Sequence, residues 1–409
     1  MTNRTETSSD FDARVLAWLE RIAPDAEPDG LLERVVATTA TTRRRPALLG
    51  PARPLGWLQP SAWRLGRALA VAAALVSLIL VVIAAMAVGT RPQVPLPLGR
   101  PGLLIAAAGG ELQLVDQSGV VGGRVATGDY EGFGTWSPDG SRLAYAAGTS
   151  DAPTIVIAYA GLRTLLNIAV PSGIRLPVTW APDGRRIAFW VDNTTITQVF
   201  VVDVAAGAVP VAITDRELRA ESPSWSPDGN WIAFRGGVGV DQEALYVTHP
   251  DGTSVLRLSA SARAVDSFCG LPWLPNARSL AFGTRYNGIW TVNVDGTQER
   301  QVTAPSDQAY CPSVSPKGDR LAAMIWQETG KFAVIMAIDG SRPVTPAGPL
   351  FDELPALWAP DGRSLAVNGR ILTPGSAPRA FIDADGVKPA QIVHLDGDPY
   401  FVSWQRLAP

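Results

Sequence analysis

Histidine and cysteine are nearly missing from this chain, with two of each in 409 residues. His249 sits beside a Pro250-Asp251-Gly252 turn and His394 lies near the C-terminus, so His-rich metal ligation and a helix-borne histidine pair are both excluded. Each reads as an ordinary strand-end residue. No Gly-x-Ser-x-Gly elbow and no glycine-rich phosphate loop occurs, which removes the usual sequence signs of a serine hydrolase and of a nucleotide-phosphate site. Lysine is scarce too, at Lys317, Lys331 and Lys388 only. Residues 1–67 hold ten arginines and eight acids, leaving 25 basic and 30 acidic groups beyond them. That balance, with no basic stripe among stacking aromatics, excludes a nucleic-acid footprint. No motif calls for a cofactor.

Charge is also absent from Ala68 to Val88, 21 residues in which Ser77 is the one polar side chain. At about 1.5 Å per residue such a stretch covers roughly 30 Å of hydrocarbon, so it is expected to span a membrane. Ala85-Met86-Ala87 imitates a signal-peptide cleavage site, but 67 residues come first, whereas signal peptides begin at the N-terminus. Arg43, Arg44, Arg45, Arg53, Arg64 and Arg67 precede the span, against Arg91 and Arg100 after it. This asymmetry predicts a cytoplasmic segment at 1–67, a transmembrane helix at 68–88, and everything after it outside the cytoplasm. Prolines at 92, 95, 97 and 101 make 89–101 a stiff stalk.

The cytoplasmic segment carries two helical stripes. Phe11, Val15, Trp18, Leu19 and Ile22 fall on one face of a helix that Asp10 caps, and Leu31, Leu32, Val35 and Val36 form a shorter one. Two such helices bury little on their own, so they read either as a support for insertion or as a site for a cytoplasmic partner.

What the chain has in abundance is a repeat. Trp136-Ser137-Pro138-Asp139-Gly140, Trp180-Ala181-Pro182-Asp183-Gly184 and Trp225-Ser226-Pro227-Asp228-Gly229 each lead to Leu/Ile-Ala-aromatic, and less regular copies start at Trp273, Val314 and Trp358. A period near 45 residues is the mark of a propeller or solenoid. Pro presets the second turn position, Asp tolerates the third and Gly accepts positive φ, so each block is a hairpin. A third strand and a second hairpin follow, giving four short strands per unit, which is a propeller blade. A seventh motif start, Trp404, has no sequence left for outer strands. The segment after Leu103 looks like a blade lacking its first strand, and pairing Tyr400–Trp404 with it would close a ring of seven.

These blocks resemble the TolB-type propeller family over roughly residues 102–409. The resemblance implies an all-β, seven-bladed propeller. Members include scaffolding and binding proteins as well as propellers attached to serine peptidases, so it implies a binding role for a protein or small ligand and leaves a propeller enzyme as the lesser alternative. The departures at Asn276-Ala277, Val314 and Lys317 touch turn quality and packing in two blades. The layout of short cytoplasmic helices, one span and an outer domain resembles membrane-tethered anti-sigma factors, which makes transmembrane signalling a further alternative.

Two sets of side chains are singled out. Glu131, Glu221, Asp266, Asp307, Glu353 and Asp398 lie four to seven residues before motif starts, with Arg175 in the corresponding region before Trp180. Loops leading into inner strands meet at one end of a propeller axis, so these acids are either solvated loop residues or an acidic channel mouth facing a cation or basic segment. Cys269 and Cys311 precede neighbouring motif starts in an oxidising compartment, which favours a bridge. Cys269 stands six residues before Pro275 and Cys311 five before Pro316, so on regular strands they point to opposite sides, and the sequence leaves the disulfide open.

Overall fold

The computed structural model describes residues 98–130, 133–238, 243–259, 269–284, 287–328, 330–345, 356–368, 379–388, 391–393 and 400–408. The helical stripes and the 68–88 stretch lie outside the described residues, as do His394 and four of the six singled-out acids. Among the described residues, no helix is long and apolar enough to cross a membrane.

Seven antiparallel sheets form the seven blades of a propeller. The first blade is Arg100–Ala108, Glu111–Val115 and Val121–Ala126, with Tyr400–Leu407 as its inner strand. The inner strands of the second, third and fourth blades are Gly134–Trp136, Ile174–Trp180 and Glu221–Trp225. In the fifth blade a single bridge, Trp273 to Leu280, takes the inner strand's place. Ala309–Val314 and Leu357–Trp358 are the inner strands of the sixth and seventh.

The repeat's turn chemistry appears as the sequence predicts. In the second blade Gly140 N–H donates to Ser137 O at 2.8 Å, and Asp139 Oδ1 accepts from Ser137 Oγ at 2.6 Å and from Ser141 N at 3.0 Å. Where the motif is less regular, neighbours take over. Ala277 adopts the left-handed φ of 56° that glycine holds elsewhere, while Asn276 Oδ1 accepts from the backbone of Arg278 and Ser279. Beside Lys317, Ser315 Oγ donates instead to Asp319 at 2.8 Å.

The motif tryptophan joins blades as well as filling the core. Trp180 Nε1 donates to Thr135 O of the preceding blade at 3.1 Å, Trp273 to Ser224 O at 3.1 Å and Trp358 to Ser313 O at 3.2 Å. An arginine of the preceding blade lies over the ring: Arg142 on Trp180 at 5.2 Å, Arg186 on Trp225 at 4.9 Å and Arg320 on Trp358 at 5.3 Å. Arg142 also donates to Gly184 O at 2.9 Å, and Arg320 to Gly362 O at 3.0 Å. Each cation–π contact contributes about 0.5–2 kcal/mol, and the flat guanidinium seals the seam between sheets.

Closure follows the expected pairing, with Leu104 opposite Trp404 and Ala107 opposite Tyr400. The last strand is bound to three blades. Buried Gln405 accepts from Leu103 N at 3.0 Å and donates to Gly140 O at 2.8 Å, and Asn368 of the seventh blade exchanges two hydrogen bonds with the backbone of Phe401. Among the described residues, this pairing leaves no open edge between the propeller's first and last strands.

Candidate functional site

Bulges shape the centre of the ring. In the third, fourth and sixth blades the inner strand slips register just before the motif residue, between Arg175 and Thr179, Glu221 and Ser224, and Tyr310 and Ser313. Ser222 and Cys311, each three residues before a motif start, sit at φ 54° and 48°. A bulge re-aims the side chains around it. Residues one to four positions before the motif in six of the seven blades face a common space at the centre.

Those residues line a cavity of about 390 Å³. Phe133, Leu176, Leu271 and Leu357 supply apolar residues, and hydroxyl-bearing residues are Thr135, Thr179, Ser222 and Ser224. Trp190 and Cys269 complete part of the wall. None of the lining residues carries an ionisable side chain, because Cys269 is joined to Cys311, with their Cα atoms 4.6 Å apart. The positive φ of Cys311 explains why the two side chains meet although regular strands would point them apart. The cavity is lined by the middle of the inner strands, 176–179 within Ile174–Trp180 and 222–224 within Glu221–Trp225. The motif turns follow those strands, and Arg100 and Leu407, where the propeller's first and last strands pair, lie on the turn side of Trp404.

The acids singled out from the sequence are placed differently from one another. Glu221 accepts from Arg235 Nε at 2.9 Å and from a second guanidinium nitrogen of that buried arginine. It borders a smaller pocket of about 110 Å³ with Asp192, Thr197, Arg219 and Glu243. Asp307 closes a short 3₁₀ turn, Pro305–Asp307, its Oδ2 accepting from Ala304 N at 3.0 Å. Neither lines the axial cavity. Glu131, Asp266, Glu353 and Asp398 lie outside the described residues. Arg175 pairs with Asp192 at 3.3 Å. Among the described residues no group of His, Cys, Asp or Glu could hold a metal ion.

The sequence reading missed the hydroxyls. The residue before the motif start is Thr135, Thr179, Ser224, Ser313 and Ser403 in five of the seven repeats, a column visible on aligning the repeats by their tryptophans.

Residues 111–271 match the family model described as the TolB beta propeller domain. The propeller is similar to TolB-type propellers over that stretch. Solved structures similar to this TolB-like propeller include TolB from Acinetobacter baumannii, 18% identical with a TM-score of 0.47, covering 75% of this chain and 82% of that one. An oligogalacturonate lyase from Vibrio parahaemolyticus is 12% identical with a TM-score of 0.52, covering 73% of this chain and 89% of that one. The tricorn protease is 10% identical with a TM-score of 0.52, over 73% of this chain and 34% of that one. At these identities the last two likenesses show the fold alone. A comparison with curated proteins returned no match.

Proposed function

We propose that this chain is a single-pass membrane protein whose TolB-like propeller lies outside the cytoplasm and binds a protein or small ligand at its axial cavity, without catalysis. The observation that carries the reading is the cavity, whose wall offers hydrocarbon, aromatic rings and hydroxyls but no general acid, base or free thiol among its lining residues. Such a wall suits binding better than proton transfer. The uncharged stretch at 68–88 and the arginines before it support the anchor and its direction.

We propose an acidic rim as an addition to this reading. Glu221 already has its counter-charge in Arg235, so an acidic field there would depend on Asp307 and on the sequence positions Glu131, Asp266, Glu353 and Asp398. The stripe Phe11, Val15, Trp18, Leu19 and Ile22 favours a second reading, in which binding outside alters a cytoplasmic partner. Changed gene expression on Trp18→Ala separates that from simple tethering.

The test of binding is capture from envelope extracts with the detergent-solubilised full chain as bait, beside a Leu357→Trp variant that fills the cavity. Retention by the unaltered chain and its loss in the variant are expected. Equal retention by both places binding elsewhere and contradicts the proposal.

A further inference from the structure

Resting on the reading of the axial cavity as a binding site, we infer that its ligand is a neutral saccharide, one or two uncharged rings bearing hydroxyl or acetamido groups. Three features of the wall point there. The first is charge: no lining residue is ionisable, so a carboxylate or ammonium placed inside would lose hydration with nothing to replace it.

The second is the chemistry of the polar groups. Thr135, Thr179, Ser222 and Ser224 line the cavity, and among the described residues no hydroxyl of these four has a hydrogen-bond partner. A hydroxyl both donates and accepts, which matches the mixed donors and acceptors of a sugar ring. Phe133 and Trp190 add aromatic surface for the C–H faces of such a ring, and Leu176 and Leu357 suit an acetamido methyl.

The third feature disfavours the other neutral ligand of this size, an extended peptide. Peptides added to a sheet edge are held by a backbone ladder. On the inner strands around this axis, Pro177, Pro223 and Pro312 have no N–H to give, and the bulges at the same positions break the register a ladder needs. Recognition therefore falls to side-chain hydroxyls.

The test is calorimetric titration of the full chain in detergent with three probes: the neutral N,N′-diacetylchitobiose, the dianionic digalacturonate, and an acetylated and amidated tetra-alanine. Saturable binding of the chitobiose is expected, with digalacturonate and the peptide each about tenfold weaker or more. Thr135→Val with Thr179→Val keeps shape, removes two hydroxyls and should weaken the chitobiose about tenfold at an unchanged melting temperature. If that double variant does not fold, Leu357→Trp serves instead and should abolish binding. No saturable chitobiose binding, equal binding of digalacturonate, a preference for the peptide, or unchanged affinity in the variant used overturns the inference. If envelope capture is still lost on filling the cavity while chitobiose fails to bind, the binding site stands and the saccharide does not.

Discussion

Gly140 serves two structures at once. It takes φ 71° to close its turn, and its carbonyl receives Gln405 from the strand that closes the ring. A Cβ there would lie 1.9 Å from Arg406 O, a backbone atom with no room to move. At Gly184, φ is 67° and the nearest obstacle is the end of the flexible Arg142 side chain at 3.0 Å. Gly184→Ala should cost about 1–2 kcal/mol for backbone strain alone, and Gly140→Ala about 3 kcal/mol or more because the closing strand must shift as well. Thermal melts of the two variants check this, and equal losses would contradict the double role.

The turn aspartates give a pH dependence. Burial pushes Asp139 up, but hydrogen bonds from Ser137 and Ser141 outweigh it and leave the carboxyl below its ordinary 3.8. Asp251, Asp295 and Asp339 are lowered from the same value chiefly by the hydroxyls of Thr253, Thr297 and Ser341. A carboxyl depressed in the folded state contributes stability above its unfolded value and loses it as pH falls through the folded one. The melting temperature of the propeller should therefore hold steady down to about pH 5 and fall below pH 4. A decline already complete by pH 5 would mean that other groups govern acid unfolding. These turns were legible in the sequence because each residue is demanded by its own backbone angle. The axial hydroxyls were not, since serine and threonine are common and nothing local marks which way they face.

At the scale of the strand, alternation is a sound guide only while pairing is regular. It set Cys269 and Cys311 on opposite sides, and the bulge at Cys311 brought them together across two blades. A bulge depends on how a strand meets its neighbours round the axis, which residue spacing does not record. The same limit applied to Glu221, whose partner Arg235 is 14 residues away and unmarked by any motif. Because the disulfide closes a loop of 42 residues, Cys269→Ser with Cys311→Ser should cost about 2–4 kcal/mol. Thiol titration of the unfolded, unreduced protein should find no free thiol, and two free thiols or an unshifted melt would show that the bridge does not staple these blades.

For the whole molecule, blade number and ring closure could be read from seven motif starts and two half-blades, because every repeat buries its face only against the next. The proposed location outside the cytoplasm rests on the 68–88 stretch and the arginines before it. A reporter active only outside the cytoplasm should work when fused after Gly89 and after Pro409, and activity of a cytoplasm-only reporter at either site would reverse the orientation. The central claim, that an outer propeller binds through its axial cavity, is tested most directly in living cells by photocrosslinking. A photoreactive residue would be placed in the cavity at Thr179 or Leu357, and at the turn end at Asp251 or Asp295. The account predicts a discrete crosslinked product from the two cavity positions and none from the turn end; products from the turn end alone would contradict it.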